Sequence, residues 1–280
     1  RQGTPSWSKN FRSGGKDSKT DWIYASPIID NNGTIFIGTN IGLFYAVNPS
    51  GDIVWSTNLY GEITSTPALG ANDFIYVGVS RSLNDDVKGR LYALNSKTGD
   101  IMWGLTEGEI DGRLPSSPAL YGKRLYIGTE QGTLYSINTD TGAVEWSKKP
   151  QPGSSIVASV AVDRNGEIYF MSSYNYLFSN DASTDGMFAA YKYSPGGEET
   201  WRFLSSYVLH STPVLDEKRG VLYFGGNDKR LIALSMRTGD PVGCFTANDA
   251  ISASPALLPD GSVLFSTEDG YVYACDPGCK

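Results

Sequence analysis

Ser117-Pro118-Ala119-Leu120, then Leu125-Tyr126-Ile127-Gly128, then Gly132-Thr133-Leu134-Tyr135-Ser136, then Thr141-Gly142 and Trp146, make one pass of a phrase that the chain repeats. The Ser/Thr-Pro step returns at Ser26-Pro27, Thr66-Pro67, Thr212-Pro213 and Ser254-Pro255, with Ser159-Val160 as a degenerate copy. Successive steps lie 40, 51, 42, 53 and 42 residues apart. Short apolar runs inside each unit are separated by turn dipeptides such as Asn32-Gly33, Asn165-Gly166, Asp260-Gly261, Thr98-Gly99 and Thr238-Gly239. Four short strands in a unit of this length mark a β-propeller blade. A four-stranded sheet cannot hide both faces alone, whereas a sheet packed between two neighbours can.

The chain is therefore expected to be all-β: a six-bladed β-propeller of four-stranded antiparallel blades, one domain over residues 1–280. The blades fall at about 22–58, 63–106, 114–149, 156–204, 209–246 and 251–280 plus 1–10. Trp55, Trp103, Trp146 and Trp201 each stand four residues after a turn glycine, a packing position repeated once per blade. Trp7 has the same character but no repeat of its own, and the sixth repeat stops before its tryptophan. The expected closure has the N-terminal strand around Trp7 completing the last blade.

Composition narrows the partners. Net charge is −7, from 30 acidic and 23 basic residues, which disfavours a nucleic-acid backbone. No apolar run approaches the roughly 20 residues of a membrane-spanning helix. Arg1-Gln2-Gly3 is not an apolar leader, a state that a trimmed secreted chain shares. Of three cysteines, Cys275 and Cys279 flank a turn; a bridge there, a bridge from Cys244 to either, and three free thiols all fit the spacing. Asn32-Gly33-Thr34 is a glycosylation sequon inside a tight turn.

The Ser-Pro-Ala-Leu step, Leu-Tyr-x-Gly strand, Gly-x-Leu-Tyr segment, Thr-Gly turn and tryptophan resemble the repeat of the PQQ-like (quinoprotein-type) propeller family, over nearly the whole chain. That family includes dehydrogenases and non-enzymatic members of the BamB type. The resemblance to the non-enzymatic members is the stronger, because the adjacent cysteine pair of the alcohol dehydrogenases has no counterpart here. It implies an extracytoplasmic protein (secreted, periplasmic or lumenal), standing alone or as a module of a larger protein or assembly; no cofactor is expected, PQQ least of all without that cysteine pair, and calcium is the one candidate.

Candidate function lies where the repeats disagree. Just before each Ser/Thr-Pro step one column is always aliphatic: Ile23, Ile63, Leu114, Ile156, Leu209 and Ile251. The columns on either side vary, and place Trp22, Tyr24, Glu62, Arg113 and the single histidine, His210, near a channel mouth. The connection between second and third strands is long only in repeats two and four. With the segment before Ser26, these connections suggest one elaborated face built from residues 8–25, 82–88 and 172–185. Repeat four adds Tyr174, Tyr176 and Phe178, aromatics suited to a protein or a glycan. Asp181, Ser183 and Asp185 alternate before Gly186 as in the first half of a calcium loop, although Lys192 stands where the loop would end in a carboxylate. No nucleophile elbow or phosphate loop occurs. The leading expectation is a non-catalytic propeller that binds a protein or glycan. The alternative is an enzyme working at the channel mouth, either a quinone-dependent dehydrogenase or a calcium-dependent lactonase or hydrolase.

Overall fold

The computed structural model describes residues 6–11, 22–82, 89–106, 108–174, 188–209 and 211–276. Among them the only regular secondary structure is β-strand, paired antiparallel throughout. The first sheet runs Ile28–Ile29, Ile35–Gly38, Leu43–Val47, Ile53–Asn58, each strand bonded to the next. The second, third and fifth sheets repeat this order, the third over Ala119–Tyr121, Arg124–Gly128, Leu134–Asn138 and Val144–Lys148. The fourth has a split inner edge: Ser154–Ser155 and Ala161–Val162 both pair with Ile168–Tyr174. The sixth has three strands, Ala256–Leu257, Val263–Ser266 and Val272–Cys275. Residues 6–11 form no strand, so the expected fourth strand of the last sheet is not among the described pairings.

Two compact units divide the chain: residues 1–118 with 138–143, and residues 119–137 with 144–280. In each, apolar side chains gather between the sheets of consecutive repeats. In the first unit Phe36, Phe44 and Ala46 of repeat one meet Ile63, Ile75, Val77 and Leu94 of repeat two. In the second unit Tyr126 and Leu134 meet Ile156, Ile168 and Phe170; Tyr169 and Met171 meet Leu209, Leu222 and Phe224; and Tyr223 and Leu231 meet Ile251, Val263 and Phe265. Near-continuous apolar strands are what a sheet covered on both faces requires.

The repeated tryptophan has a defined task. Its indole N–H donates to a carbonyl in the turn of the following repeat: Trp55 to Ser96, Trp103 to Thr139, Trp146 to Pro195 and Trp201 to Met236, at 3.0–3.1 Å. The ring lies on that turn's glycine. Gly142 has φ +75°, and a Cβ there would fall 2.9 Å from the Trp103 ring, so both backbone and space exclude a side chain. Trp7 sits in the same way on the turn of repeat one, donating to the Pro49 carbonyl at 2.9 Å with its ring over Gly51.

The Ser/Thr of the Ser/Thr-Pro step also reaches the next repeat. The Thr66 amide donates to Ser117 Oγ at 3.0 Å, the Ser159 amide to Thr212 Oγ1 at 3.1 Å and the Thr212 amide to Ser254 Oγ at 2.9 Å. Proline, which has no N–H, follows at a sheet edge where no partner strand waits for one. Cys244 and Cys275 are free thiols, and Cys279 lies outside the described residues.

Candidate functional site

The variable column is held at one place in four of the repeats. The Trp22 carbonyl accepts from the Asn40 amide at 3.0 Å, Glu62 from Ser80 at 2.8 Å, Val208 from Asn227 at 3.2 Å and Ala250 from Glu268 at 3.0 Å. In each case the donor lies at or just past the end of the second strand. The column therefore flanks the connections whose lengths vary. In the two repeats with long connections this contact grows into a ribbon. Gly61–Glu62 pairs with Arg81–Ser82, and Ser154–Ser155 pairs with Ser173 and Tyr174 at the end of Ile168–Tyr174. Glu62 and Arg113 are both half-buried. Ser80 ties the second and third lead-in segments together, its hydroxyl meeting Thr64 Oγ1 at 2.7 Å and the Leu114 carbonyl at 2.9 Å.

Trp22 and Tyr24 come together as the alternation of a strand demands. Their rings meet edge to face, 5.6 Å between centroids, and both are more than half exposed. The Trp22 amide donates to Asn40 Oδ1 at 2.7 Å, which with the return bond fixes the backbone on which the indole is presented. Beside Trp22 opens a cavity of about 700 Å3, lined by Ser8, Lys9, Asn10, Phe11, Trp22, Ile23 and Thr39. Phe11 anchors its N-terminal wall by packing on Tyr45 at 4.9 Å. Thr39 and the Phe11–Tyr45 pair are contributions the repeat alignment did not identify; the one available signal was the place of Thr39 directly after the strand-end glycine.

Tyr174 closes its strand; Tyr176, Phe178 and His210 lie outside the described residues, as does the calcium-like segment with Asp181, Ser183 and Asp185. Among the described residues no three His, Cys, Asp or Glu side chains gather to hold a metal ion. Among the described residues, the carboxylates pushed below their usual range, Glu198 beside the Ser194 hydroxyl, Glu217 beside Arg164 and Asp260 beside the Ser262 amide, belong to turns and surface pairs. Buried tyrosines such as Tyr169 and Tyr193 are pushed up by desolvation and stay neutral. This chemistry suits recognition: exposed aromatic edges, a lysine and backbone groups around a cavity.

Residues 1–207 match the family described as outer membrane protein assembly factor BamB. Among solved structures the chain is similar to BamB from Moraxella catarrhalis, at 19% identity over 91% of this chain and 83% of that one, with a TM-score of 0.56. It is also similar to the computationally designed Ika8 protein, at 13% identity over 90% and 70% of the two chains, with a TM-score of 0.69. A quinohemoprotein alcohol dehydrogenase from Pseudomonas putida shares 14% identity over 95% of this chain and 58% of that one, with a TM-score of 0.70. No curated protein matches in sequence. Likenesses at this identity concern the fold.

Proposed function

The chain belongs to the PQQ-like repeat family described as outer membrane protein assembly factor BamB, and from that premise we propose that it is a non-catalytic, extracytoplasmic scaffold that binds a protein. In this reading each of the six repeats is one propeller blade, and the protein serves in a larger assembly. The observation that carries the reading is the exposed Trp22–Tyr24 pair beside the cavity of residues 8–11, Ile23 and Thr39. Aromatic anchors of this kind supply contact area at low entropic cost, and Glu62 on the neighbouring ribbon adds a charge that orients the partner.

The test uses a fluorescently labelled outer-membrane β-barrel protein, unfolded in urea and diluted into the binding mixture. Wild type should raise its anisotropy saturably. Trp22→Ser with Tyr24→Ser should weaken binding about tenfold, which is about 1.4 kcal/mol, without changing the melting temperature. Equal binding by wild type and the double variant would remove this surface from the reading. The dehydrogenase alternative draws only on the fold shared with the quinohemoprotein enzyme. Alcohol oxidation with an artificial electron acceptor, after incubation with PQQ and calcium, would replace the scaffold reading.

A further inference from the structure

Tyr60 turns the chain with φ +54°, a left-handed conformation that a bulky side chain disfavours. It lies in the segment that leads from the first sheet into the second. The Leu59 amide donates to the Gly42 carbonyl at 2.8 Å, the Tyr60 amide to Asn58 Oδ1 at 2.8 Å and the Ile63 amide to the Thr39 carbonyl at 3.2 Å. Gly42 admits this close approach: a Cβ there would fall 2.6 Å from the Gly61 nitrogen and 3.0 Å from the Tyr60 nitrogen. The backbone is therefore pinned on both sides of Tyr60.

The next two repeats make a left-handed turn in the same segment and use glycine for it. Gly112 has φ +70° ahead of Leu114, and Gly153 has φ +76° ahead of Ile156. Tyr60 stands three residues before Ile63, as Gly153 stands three before Ile156. A glycine is at hand, but Gly61 lies in the ribbon with Arg81–Ser82 and the turn falls on the tyrosine. Two other described residues that are not glycine have positive φ, and each has its side chain tied to the fold. Asp73 pairs with Lys97, and Lys229 donates to the Asn248 carbonyl at 2.9 Å. Among the described residues the Tyr60 side chain makes no hydrogen bond, ion pair or ring contact, and it is 62% exposed. The fold thus holds an unfavourable conformation at Tyr60 without using the ring, and residues held in this way cluster at functional sites.

Its position shows what the ring is for. Residues 39–42 hold the Tyr60 turn through Thr39 and Gly42, and they hold the backbone of Trp22 through Asn40. We propose that Tyr60 is a further aromatic anchor for the partner protein, kept at the expense of stability. The inference rests on the scaffold reading above. A tyrosine on a pinned turn offers large contact area and has little freedom left to lose on binding.

Two substitutions separate strain from recognition. Tyr60→Gly removes the ring and the strain, whereas Tyr60→Ala removes the ring and keeps the strain. In thermal unfolding Tyr60→Gly should melt about 2 °C above wild type, and Tyr60→Ala should stay close to wild type. Against the labelled, urea-unfolded β-barrel protein, both should bind about tenfold more weakly than wild type, while Tyr60→Phe should bind as wild type does. A protein that is more stable and binds less well is the expected sign of an anchor held under strain. Wild-type affinity in Tyr60→Gly would overturn the proposal. So would a melting temperature of Tyr60→Gly below wild type, which would make the ring part of the fold. If the Trp22, Tyr24 double variant binds normally and the Tyr60 variants do not, the proposal stands and the Trp22–Tyr24 surface falls. A wild type that never binds the barrel protein would overturn the scaffold reading and the anchor with it.

Discussion

Trp146 shows how one side chain carries an inter-repeat joint. Its indole N–H ends on the Pro195 carbonyl, its ring covers Gly197, and its other face meets Tyr126 at 5.8 Å. Trp146→Ala removes all three contacts and should cost about 3 kcal/mol in chemical denaturation, the range for emptying an aromatic from a packed site. Trp22→Ala, at an exposed indole outside that register, should stay within about 0.5 kcal/mol. The strand-end glycine makes a second residue-scale prediction. A Cβ on Gly128 would meet Ile156 Cγ2 at 2.2 Å, so Gly128→Ala should destabilise by about 2 kcal/mol through overpacking. Adding Ile156→Val vacates part of that space, and the double variant should recover some of the loss. Additive losses would mean that the two groups do not compete for one site.

At the scale of elements, the Ser/Thr-Pro step joins innermost strands across repeats. Thr212→Val keeps the shape of the side chain and removes the oxygen that accepts the Ser159 amide. It should lower stability by about 1 kcal/mol, while Thr212→Ser should restore it; equal urea midpoints for Val and Ser variants would show that the bond contributes nothing. The step itself was plain in the sequence because it recurs with the repeat. Its role was not, since each hydroxyl serves an amide in the preceding repeat and no local pattern shows that pairing. The same division holds elsewhere. The aliphatic column and the tryptophan register follow from repetition, and the structure adds what each touches. Trp22 and Tyr24 could be placed on one side of a strand by alternation alone, whereas Thr39 and the Phe11–Tyr45 pair depend on distances between separate segments. The strand expected around Trp7 was inferred from its tryptophan; the described residues seat that indole on Gly51 but give it no strand partner.

For the whole molecule, acid is the expected point of weakness. Among the described residues the carboxyls held below their usual range are Glu217, through its hydrogen bond from Arg164, Glu198, through the Ser194 hydroxyl, and Asp260, through the Ser262 amide. All three belong to the unit that contains residues 144–280. A carboxyl whose folded pKa is depressed binds its proton more readily in the unfolded chain. Its stabilising contribution is complete above the unfolded pKa and is lost as pH falls through the lower, folded one. Melting temperature should therefore hold near neutrality and fall steeply below about pH 4. Glu217→Gln isolates one contributor: it keeps the size of the side chain and removes the charge that Arg164 meets at 2.5 Å. Its melting temperature should lie below wild type at about pH 7 and converge with it at about pH 2, where the wild-type carboxyl is protonated too. A gap of constant size between the two curves would assign the loss to packing at Glu217 and not to its charge.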